Sequence, residues 1–383
     1  MASGIPAAPI YLDEAANPGT GWIIGMTRYS VAAGAALAAL AALAVPAAAA
    51  TATAVPRHLL PTGAAWTSSQ RGIVLGYPSL TTGARPSLLQ TTSGGKTWQS
   101  LTAPPVKFPL DDTQPDLVAA DGVIAVTDGT HIVATRDSGK HWTAERLAGL
   151  PKIFEVQQVA TADGRVLALV VTRKQGALYS GTPQSGVLRT VKGVSIAGAG
   201  SYGDIITTTG SLQVDLGNNF TTQKYWYSRN GTSFTAASLP CPARDVAYLG
   251  GVKSGKVLSL CTAGPSAVGP GTTAAQVSIA AKLGGKFGAA GQQIELPNVS
   301  IFGAASPKTL IIGTEAGLFR TVNAGKTWTL PLTTPNGGNV NDLTFVSAST
   351  GFALESTSNA KGKANTVYRT VNAGQKWTAI SVP

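Results

Sequence analysis

Few residues of this chain could act on a substrate or hold a metal ion. The one local cluster of carboxylates outside the N-terminal region is Asp111, Asp112 and Asp116. Converging carboxylates could form a calcium loop, the acid pair of a glycosidase or a ligand contact. The spacing does not match a calcium loop, which needs a central Gly and a terminal Glu. We therefore interpret the cluster as a solvated loop between structural units.

The other candidates for chemistry are the three histidines, His58, His131 and His141. No Gly-x-Ser-x-Gly sequence accompanies them, so a Ser–His–Asp triad is not indicated. Three histidines scattered over the chain do not indicate a His-rich metal site. The sequence therefore predicts no catalytic residue, no metal site and no cofactor.

Cys241 and Cys261 are the two cysteines of the chain. So few exclude a disulfide-dense scaffold and a Cys-based zinc cluster. The pair flanks two short runs joined by a glycine-containing turn at 250–255. Folding this hairpin places the cysteines opposite each other, within reach of a disulfide. We predict this bond, which an exported protein permits; two isolated buried thiols are the alternative.

Four segments share a pattern of eight residues, which we call the box: TTSGGKTW, TRDSGKHW, TVNAGKTW and TVNAGQKW. Its third, fifth and eighth residues are Ser93, Gly95 and Trp98; Asp137, Gly139 and Trp142; Asn323, Gly325 and Trp328; and Asn372, Gly374 and Trp377. The short polar side chain can accept hydrogen bonds from backbone N–H groups of a turn. The glycine gives backbone freedom, for which we predict a positive φ. The tryptophan opens a strand and packs between sheets. We interpret the box as structural.

The aromatic residues that end the boxes define a repeat. Trp98 and Trp142 are 44 residues apart, and shorter variants of the box end at Phe234 and Phe287. A degenerate copy is expected at 185–188. A period of roughly 40 to 50 residues with four short strands per unit is typical of a β-propeller. The sequence thus predicts an all-β fold, a propeller of seven four-stranded blades over residues 57–383, with each box between the third and fourth strands.

The last unit shows the expected strands best, at 340–346, 351–355, Thr366–Thr370 and 377–382. Two segments rich in Gly, Ala, Thr or Ser, 262–275 and 356–366, are predicted to be long loops that interrupt blades, where binding residues often lie.

The boxes resemble the Asp-box (BNR) repeat, Ser-x-Asp-x-Gly-x-Thr-Trp, of sialidases, sortilin-type receptors and xyloglucanases. The fuller unit adds a strand and a glycine-containing step before the box. This step is seen at Ala65-Trp66 with Gly72-Ile73 and at Phe345 with Gly351-Phe352. It resembles bacterial BNR propellers of the photosystem II assembly-factor type. The resemblance implies a propeller and says little about function. Asp occupies the third position only at Asp137, so the pattern has drifted.

A sialidase-like activity would require an arginine triad and a Tyr/Glu pair. The Phe/Tyr-Arg-Ile-Pro motif that carries the first arginine of that family is missing from this sequence. Arg320 and Arg369 precede boxes, where we expect them to lie on a blade face. No catalytic residue is therefore carried over from the family.

The N-terminal region has the features of an export signal. The uncharged stretch 29–50 is about as long as a bilayer span, and a start at Met26 instead of Met1 gives a positively charged beginning and an alanine-rich end. We divide the chain into residues 1–56, signal peptide or uncleaved anchor helix, and residues 57–383. The protein is expected to be secreted or to lie at the outer face of the cell membrane.

The net charge of +11 is spread along the chain instead of forming a stripe. This argues against a nucleic-acid partner and favours attraction to anionic polymers, or simply a basic surface. We predict a monomeric, non-catalytic binding or scaffold module for a protein or an anionic glycan at the cell surface, with membrane contact only through an uncleaved N-terminal segment. The alternative is a BNR-type glycoside hydrolase.

Overall fold

The computed structural model describes residues 55–56, 58–109, 115–150, 154–198, 200–208, 210–218, 221–243, 245–263, 272–334, 338–356 and 365–383. The predicted export segment at 29–50 lies outside the described residues. Within them, the only helical element is a short 3-10 helix, Pro183–Ser185. No helix among these residues is long and apolar enough to cross a membrane.

The described chain is built of four-stranded antiparallel units. The first four units contain β1 (Leu60–Trp66), β2 (Gly72–Tyr77), β3 (Ser87–Thr91), β4 (Gln99–Leu101); β5 (Asp116–Ala120), β6 (Val123–Thr127), β7 (Ile132–Thr135), β8 (Thr143–Leu147); β9 (Glu155–Ala162), β10 (Arg165–Val171), β11 (Gln175–Gly181), β12 (Val187–Ala197); and β13 (Ser201–Thr208), β14 (Ser211–Asn218), β15 (Thr221–Ser228), β16 (Thr235–Ala237). The others contain β17 (Asp245–Lys253), β18 (Lys256–Ala263), β19 (Thr272–Ala280), β20 (Phe287–Pro297); β21 (Val299–Ala304), β22 (Leu310–Thr314), β23 (Gly317–Thr321), β24 (Thr329–Thr333); and β25 (Asn339–Phe345), β26 (Gly351–Ser356), β27 (Thr366–Thr370), β28 (Thr378–Ile380).

These units form six hydrogen-bonded sheets within the described residues, because the second and third units are joined. Val187 and Leu188 of β12 pair in parallel with Arg146 and Leu147 of β8, which makes one sheet of eight strands. The segment 185–188, predicted as a degenerate box, lies at the turn between β11 and β12 and at the start of β12.

Burial changes systematically across each unit. Strands β2 and β5 are buried at every position, whereas β4 and β28 are exposed or half-buried. A strand covered by sheets on both faces reads as a continuous apolar run, as β10 does with its sequence RVLALVV. The first strands, β1, β5, β9, β13, β17, β21 and β25, contact one another in succession, and β25 contacts β1. The units therefore surround a central axis, with their fourth strands at the periphery.

Polar side chains of the inner strands join each unit to the next. The Oδ2 atom of Asp116 accepts a hydrogen bond from the N–H of Val159 at 2.9 Å. The Gln158 side chain bonds both the N–H of Ile205, at 2.7 Å, and its carbonyl, at 3.0 Å. These contacts satisfy backbone groups that would otherwise be buried without partners where two sheets meet.

The seam between the last and first units is closed by aromatic packing. Trp66 at the end of β1 stacks on Phe352 of β26, with ring centroids 3.6 Å apart and planes 2° from parallel. The Trp66 side chain also meets Trp98 edge-on at 6.3 Å. Asp342 of β25 accepts the N–H of Ala64 at 3.1 Å. No covalent bond closes the ring at these contacts, so packing and hydrogen bonding hold it.

The pairing of an aromatic residue with glycine before the first and the last box follows from this packing. Gly72 pairs with Trp66 in the register of β1 and β2, and a Cβ atom on Gly72 would lie 2.3 Å from the indole. Phe345 and Gly351 are paired in the same way in the last unit. The glycine leaves space for the ring of its partner strand.

The box turns share one hydrogen-bond pattern. The third-position oxygen accepts the N–H of the residue four positions later, at 2.8 Å for Ser93 and 2.9 Å for Asp137, Asn323 and Asn372. The fifth-position glycines Gly95, Gly139, Gly325 and Gly374 have φ between 78° and 90°. Each tryptophan lies just before the fourth strand instead of inside it.

The first-position threonine of the box has a role that sequence reasoning missed. Thr370 is buried, and its Oγ1 accepts the N–H of Gly374 at 2.9 Å and donates to Asn372 at 2.9 Å. Thr91, Thr135 and Thr321 bond the glycine N–H of their own boxes at 2.9 to 3.2 Å. The invariant threonine at the start of all four boxes was the available signal.

We expect Thr370→Val to lower the free energy of unfolding by about 1–3 kcal/mol, because it leaves the buried N–H of Gly374 without an acceptor. The matched control is Thr378→Val, an exposed threonine of β28, for which little change is expected. Denaturant unfolding followed by circular dichroism measures both. Equal effects of the two substitutions would show that the hydroxyl does not hold the turn.

The arginines beside the boxes connect neighbouring units. Arg320 Nε donates to the carbonyl of Ala373 at 2.8 Å, and Arg369 Nη1 donates to the carbonyl of Gly94 at 3.4 Å. Each reaches from the third strand of one unit to the box turn of the next. The sequence predicted that both arginines lie on a blade face. Their hydrogen bonds to the neighbouring box turns show that they also link adjacent units.

Candidate ligand-binding clefts

The structure changes the interpretation of the predicted acidic cluster. Asp111 and Asp112 lie outside the described residues. Asp116 is buried at the start of β5 and bonds the next unit, so its placement in a solvated loop was wrong. A carboxylate at the start of an apolar run can be buried when a backbone N–H is close enough to donate a hydrogen bond to it.

His131 and His141 lie between strands, each beside a carboxylate close in sequence. His131 Nδ1 is 3.1 Å from Asp128 Oδ2, and His141 Nδ1 is 2.6 Å from Asp137 Oδ2. The backbone N–H and ring of His141, with the hydroxyl of Thr135, hold the pKa of Asp137 well below its ordinary value. His58 is exposed. The arrangement is that of local turn bonding rather than a shared site.

Glu145 is a perturbed acid that the sequence reasoning did not identify. It is buried in β8, paired in register with Ile132, and burial raises its pKa to about 7. Neither carboxylate oxygen has a hydrogen-bond partner among the described residues. The sequence could have indicated this burial, because side chains alternate along a strand and Glu145 therefore lies on the same face of β8 as Leu147.

Cys241 and Cys261 are joined by a disulfide, with their Cα atoms 5.4 Å apart. The partner of Cys261 across the hairpin is Ala247, not Cys241. Cys241 precedes β17, so the bond ties the segment before this strand to β18. The predicted hairpin geometry was therefore wrong in register, because β17 continues through Gly250 and Gly251 to Lys253.

The segment 262–275 is mostly strand where it is described. β18 continues to Ala263 and β19 begins at Thr272, so the prediction of a loop is wrong at both ends of the segment. Residues 264–271 lie outside the described residues. Residues 357–364 of the second predicted loop also lie outside them.

An open cleft of about 320 Å³ in the third unit contains two arginines, Arg165 and Arg189. Ser180 faces Arg189 across β11 and β12 and accepts a hydrogen bond from Arg165 Nε at 3.0 Å. The hydroxyls of Thr182 and Ser185 belong to the same cleft. We call this set the arginine cleft.

Strand register explains why these side chains converge. Leu167 pairs with Ser180, and Ser180 pairs with Arg189, so all three point to one face. Arg165 is two residues before Leu167 and shares that face. Arg165 is half-buried and Arg189 is exposed. Among the described residues neither guanidinium has a carboxylate partner, so the cleft offers two cations and several hydroxyls to a ligand.

A second cleft of about 280 Å³ lies in the fifth unit and is lined by the disulfide, Asp245, Leu239 and Phe287. We call it the disulfide cleft. In the described part of the chain, no group of three or more His, Cys, Asp or Glu side chains could hold a metal ion.

No protein-family model and no curated protein matches the sequence. Solved structures do match the fold. YCF48 bound to a D1 peptide is 16% identical, with a TM-score of 0.50 over 86% of this chain and 98% of that chain. Puromycin hydrolase is 9% identical, with a TM-score of 0.55 over 85% of this chain and 54% of that chain. The acylaminoacyl peptidase of Pyrococcus horikoshii is 7% identical, with a TM-score of 0.51 over 84% and 52%.

At these identities the likeness concerns the fold. It supports a β-propeller for this all-β chain. The chain spans about half the length of the puromycin hydrolase and peptidase chains and nearly the full length of YCF48.

Proposed function

We propose that this chain is an exported, non-catalytic β-propeller that binds an anionic ligand, an acidic protein segment or a cell-surface glycan, as a monomer. The arginine cleft is the observation that carries the proposal. Arg165 is held in place by Ser180, and a half-buried cation without an opposite charge gains most from an anionic ligand. The net charge of +11 would also attract such ligands over a distance.

The proposed architecture is a seven-bladed propeller of the Asp-box type. Counting each half of the eight-stranded sheet as one blade gives seven four-stranded blades over the described residues. The shared hydrogen bonds of the box turns support the assignment to Asp-box repeats. Export is proposed from the apolar stretch 29–50 and the start at Met26, and a disulfide is compatible with it.

A binding role is also in keeping with the fold neighbour that spans the same length. YCF48 was solved with a D1 peptide bound, so a propeller of this size can hold a peptide. In this chain the inner acids Asp116 and Asp342 are engaged in bonds between units. These carboxylates serve the fold, which favours a binding module over a glycosidase with acids in the axial mouth.

We expect the double substitution Arg165→Gln with Arg189→Gln to weaken binding of an anionic ligand by at least about tenfold, because two charge-assisted contacts are lost. The probes are a polyglutamate peptide and a carboxylated polysaccharide, each beside its neutral analogue, measured by calorimetry. Arg71→Gln with Arg229→Gln removes the same charge from exposed positions in other units and is the matched control. Equal weakening by both pairs would indicate only a general basic surface, and no binding by the unmodified protein would contradict the proposed function.

The glycoside hydrolase reading is tested separately. Purified protein is incubated with sialosides and with plant and bacterial polysaccharides, and released reducing ends are measured. Turnover of any of them would overturn the non-catalytic proposal.

A further inference from the structure

The disulfide cleft combines apolar walls with a single carboxylate. Leu239 and Phe287 form part of its sides, and Gln276 and Gln293 contribute amides. The disulfide holds the segment before β17 against β18, which fixes one wall. Apolar walls with a few placed polar groups are the usual make-up of a ligand site.

Asp245 is the charged group of this cleft. Its backbone N–H donates to the carbonyl of Pro242 at 3.2 Å, and its side chain is half-buried. Among the described residues the carboxylate has neither an ion pair nor a hydrogen-bond donor. Burial raises its pKa above the ordinary value, because the charged form loses water without gaining a partner. A cationic ligand would supply that partner.

The structure points to a second binding site of opposite charge: we propose that the disulfide cleft receives a basic side chain, lysine or arginine, of a partner protein. The aliphatic stem packs between Leu239 and Phe287, and the cationic head meets Asp245. Long basic side chains bury their methylene groups along apolar surface while the charge reaches a polar partner. Gln276 and Gln293 line the same cleft, and their amide oxygens can accept hydrogen bonds from such a head.

This site is independent of the arginine cleft. It lies in the fifth unit, whereas the arginine cleft lies in the third. A ligand for one cleft can therefore bind whether or not the other is a site.

The test is a titration of the purified, oxidised protein with N-acetyl-lysine methylamide and N-acetyl-arginine methylamide, followed by heteronuclear NMR. Saturable shifts of the Gln276 and Ser278 amides are expected. The uncharged analogue, N-acetyl-norleucine methylamide, should bind at least about tenfold more weakly, because it keeps the stem and lacks the cation. Asp245→Asn should weaken binding of the lysine probe by a similar factor.

Two further variants keep the proposal open to refutation. Glu295→Gln removes an exposed acid of the same unit and should leave binding unchanged. Gln293→Arg, at an exposed wall position, should block the cleft even if Asp245→Asn does not fold. Equal affinity for the norleucine probe, unchanged binding by Gln293→Arg, or no saturable shifts up to the solubility limit would overturn the proposal. Loss of anion binding in the Arg165 and Arg189 variants would not affect the proposal for the disulfide cleft.

Discussion

Trp66→Ala is expected to lower the free energy of unfolding by about 3–5 kcal/mol, the range for removing a fully buried large aromatic. Trp66 is 1% exposed and stacks on Phe352 across the seam between the first and last units. Because the ring is held at these contacts without a covalent bond, the cavity would open where the terminal units meet. Urea unfolding monitored by circular dichroism measures the loss.

The double substitution Trp66→Ala with Phe352→Ala distinguishes a seam contact from ordinary burial. Stacked rings contribute about 0.5–1.5 kcal/mol beyond their buried area, so the two losses should not add. Trp142→Ala is the control, since this box tryptophan lies in the second unit and donates to Thr102. The seam contact would not be important for closing the ring if the stability losses of the two single substitutions add in the double variant. The same would follow if Trp66→Ala lowered the free energy of unfolding less than Trp142→Ala.

Local patterns in the sequence were the most informative about the fold. The box is a contact between residues four positions apart, so its spacing alone predicted the bonds made by Asn323 and Asn372 and the positive φ of Gly325 and Gly374. Such local hydrogen bonds depend little on the tertiary structure of the rest of the chain.

Features that depend on strand register could not be read in the same way. The first strand of the hairpin runs four residues further than expected, because β17 continues past Leu249 to Lys253, and Cys241 therefore lies outside the hairpin. Arg165 and Arg189 converge only because Ser180 pairs with Arg189 across two strands. A shift of one residue would have sent these side chains to the opposite face, so no spacing in the sequence marked the arginine cleft.

The burial of two acidic residues could not be predicted from the sequence either. Asp204 and Asp215 are 8% and 1% exposed, although nothing in their sequence neighbourhood distinguishes them from surface residues. They pair directly across β13 and β14, and the N–H of Asp204 donates to Asp215 Oδ1 at 3.0 Å. The neighbouring hydroxyls of Tyr202, Tyr225 and Tyr248 have raised pKa values, first through burial and then through the charge of these acids.

Burial and mutual repulsion raise the pKa values of Asp204 and Asp215 well above the ordinary value. The folded protein thus holds protons on this pair that the unfolded chain releases near pH 4. The contribution of the pair to stability is fully present below that pH and is lost as the pH rises toward the folded pKa values. The slope is about 1.4 kcal/mol per pH unit for each proton retained.

Asp215→Asn is therefore expected to stabilise the protein at pH 8 and to have a much smaller effect at pH 4, where the carboxyl is protonated in the folded protein and about half protonated in the unfolded chain. The amide keeps an oxygen for the N–H of Asp204 and places a donor beside the Asp204 carboxylate, without a second charge. The measurement is the difference in unfolding free energy between variant and unmodified protein from pH 4 to pH 8, with Asp163→Asn, an exposed turn position, as the control. A difference that stays flat with pH, or a variant that is less stable at pH 8, would show that the pair is not held protonated in the folded state.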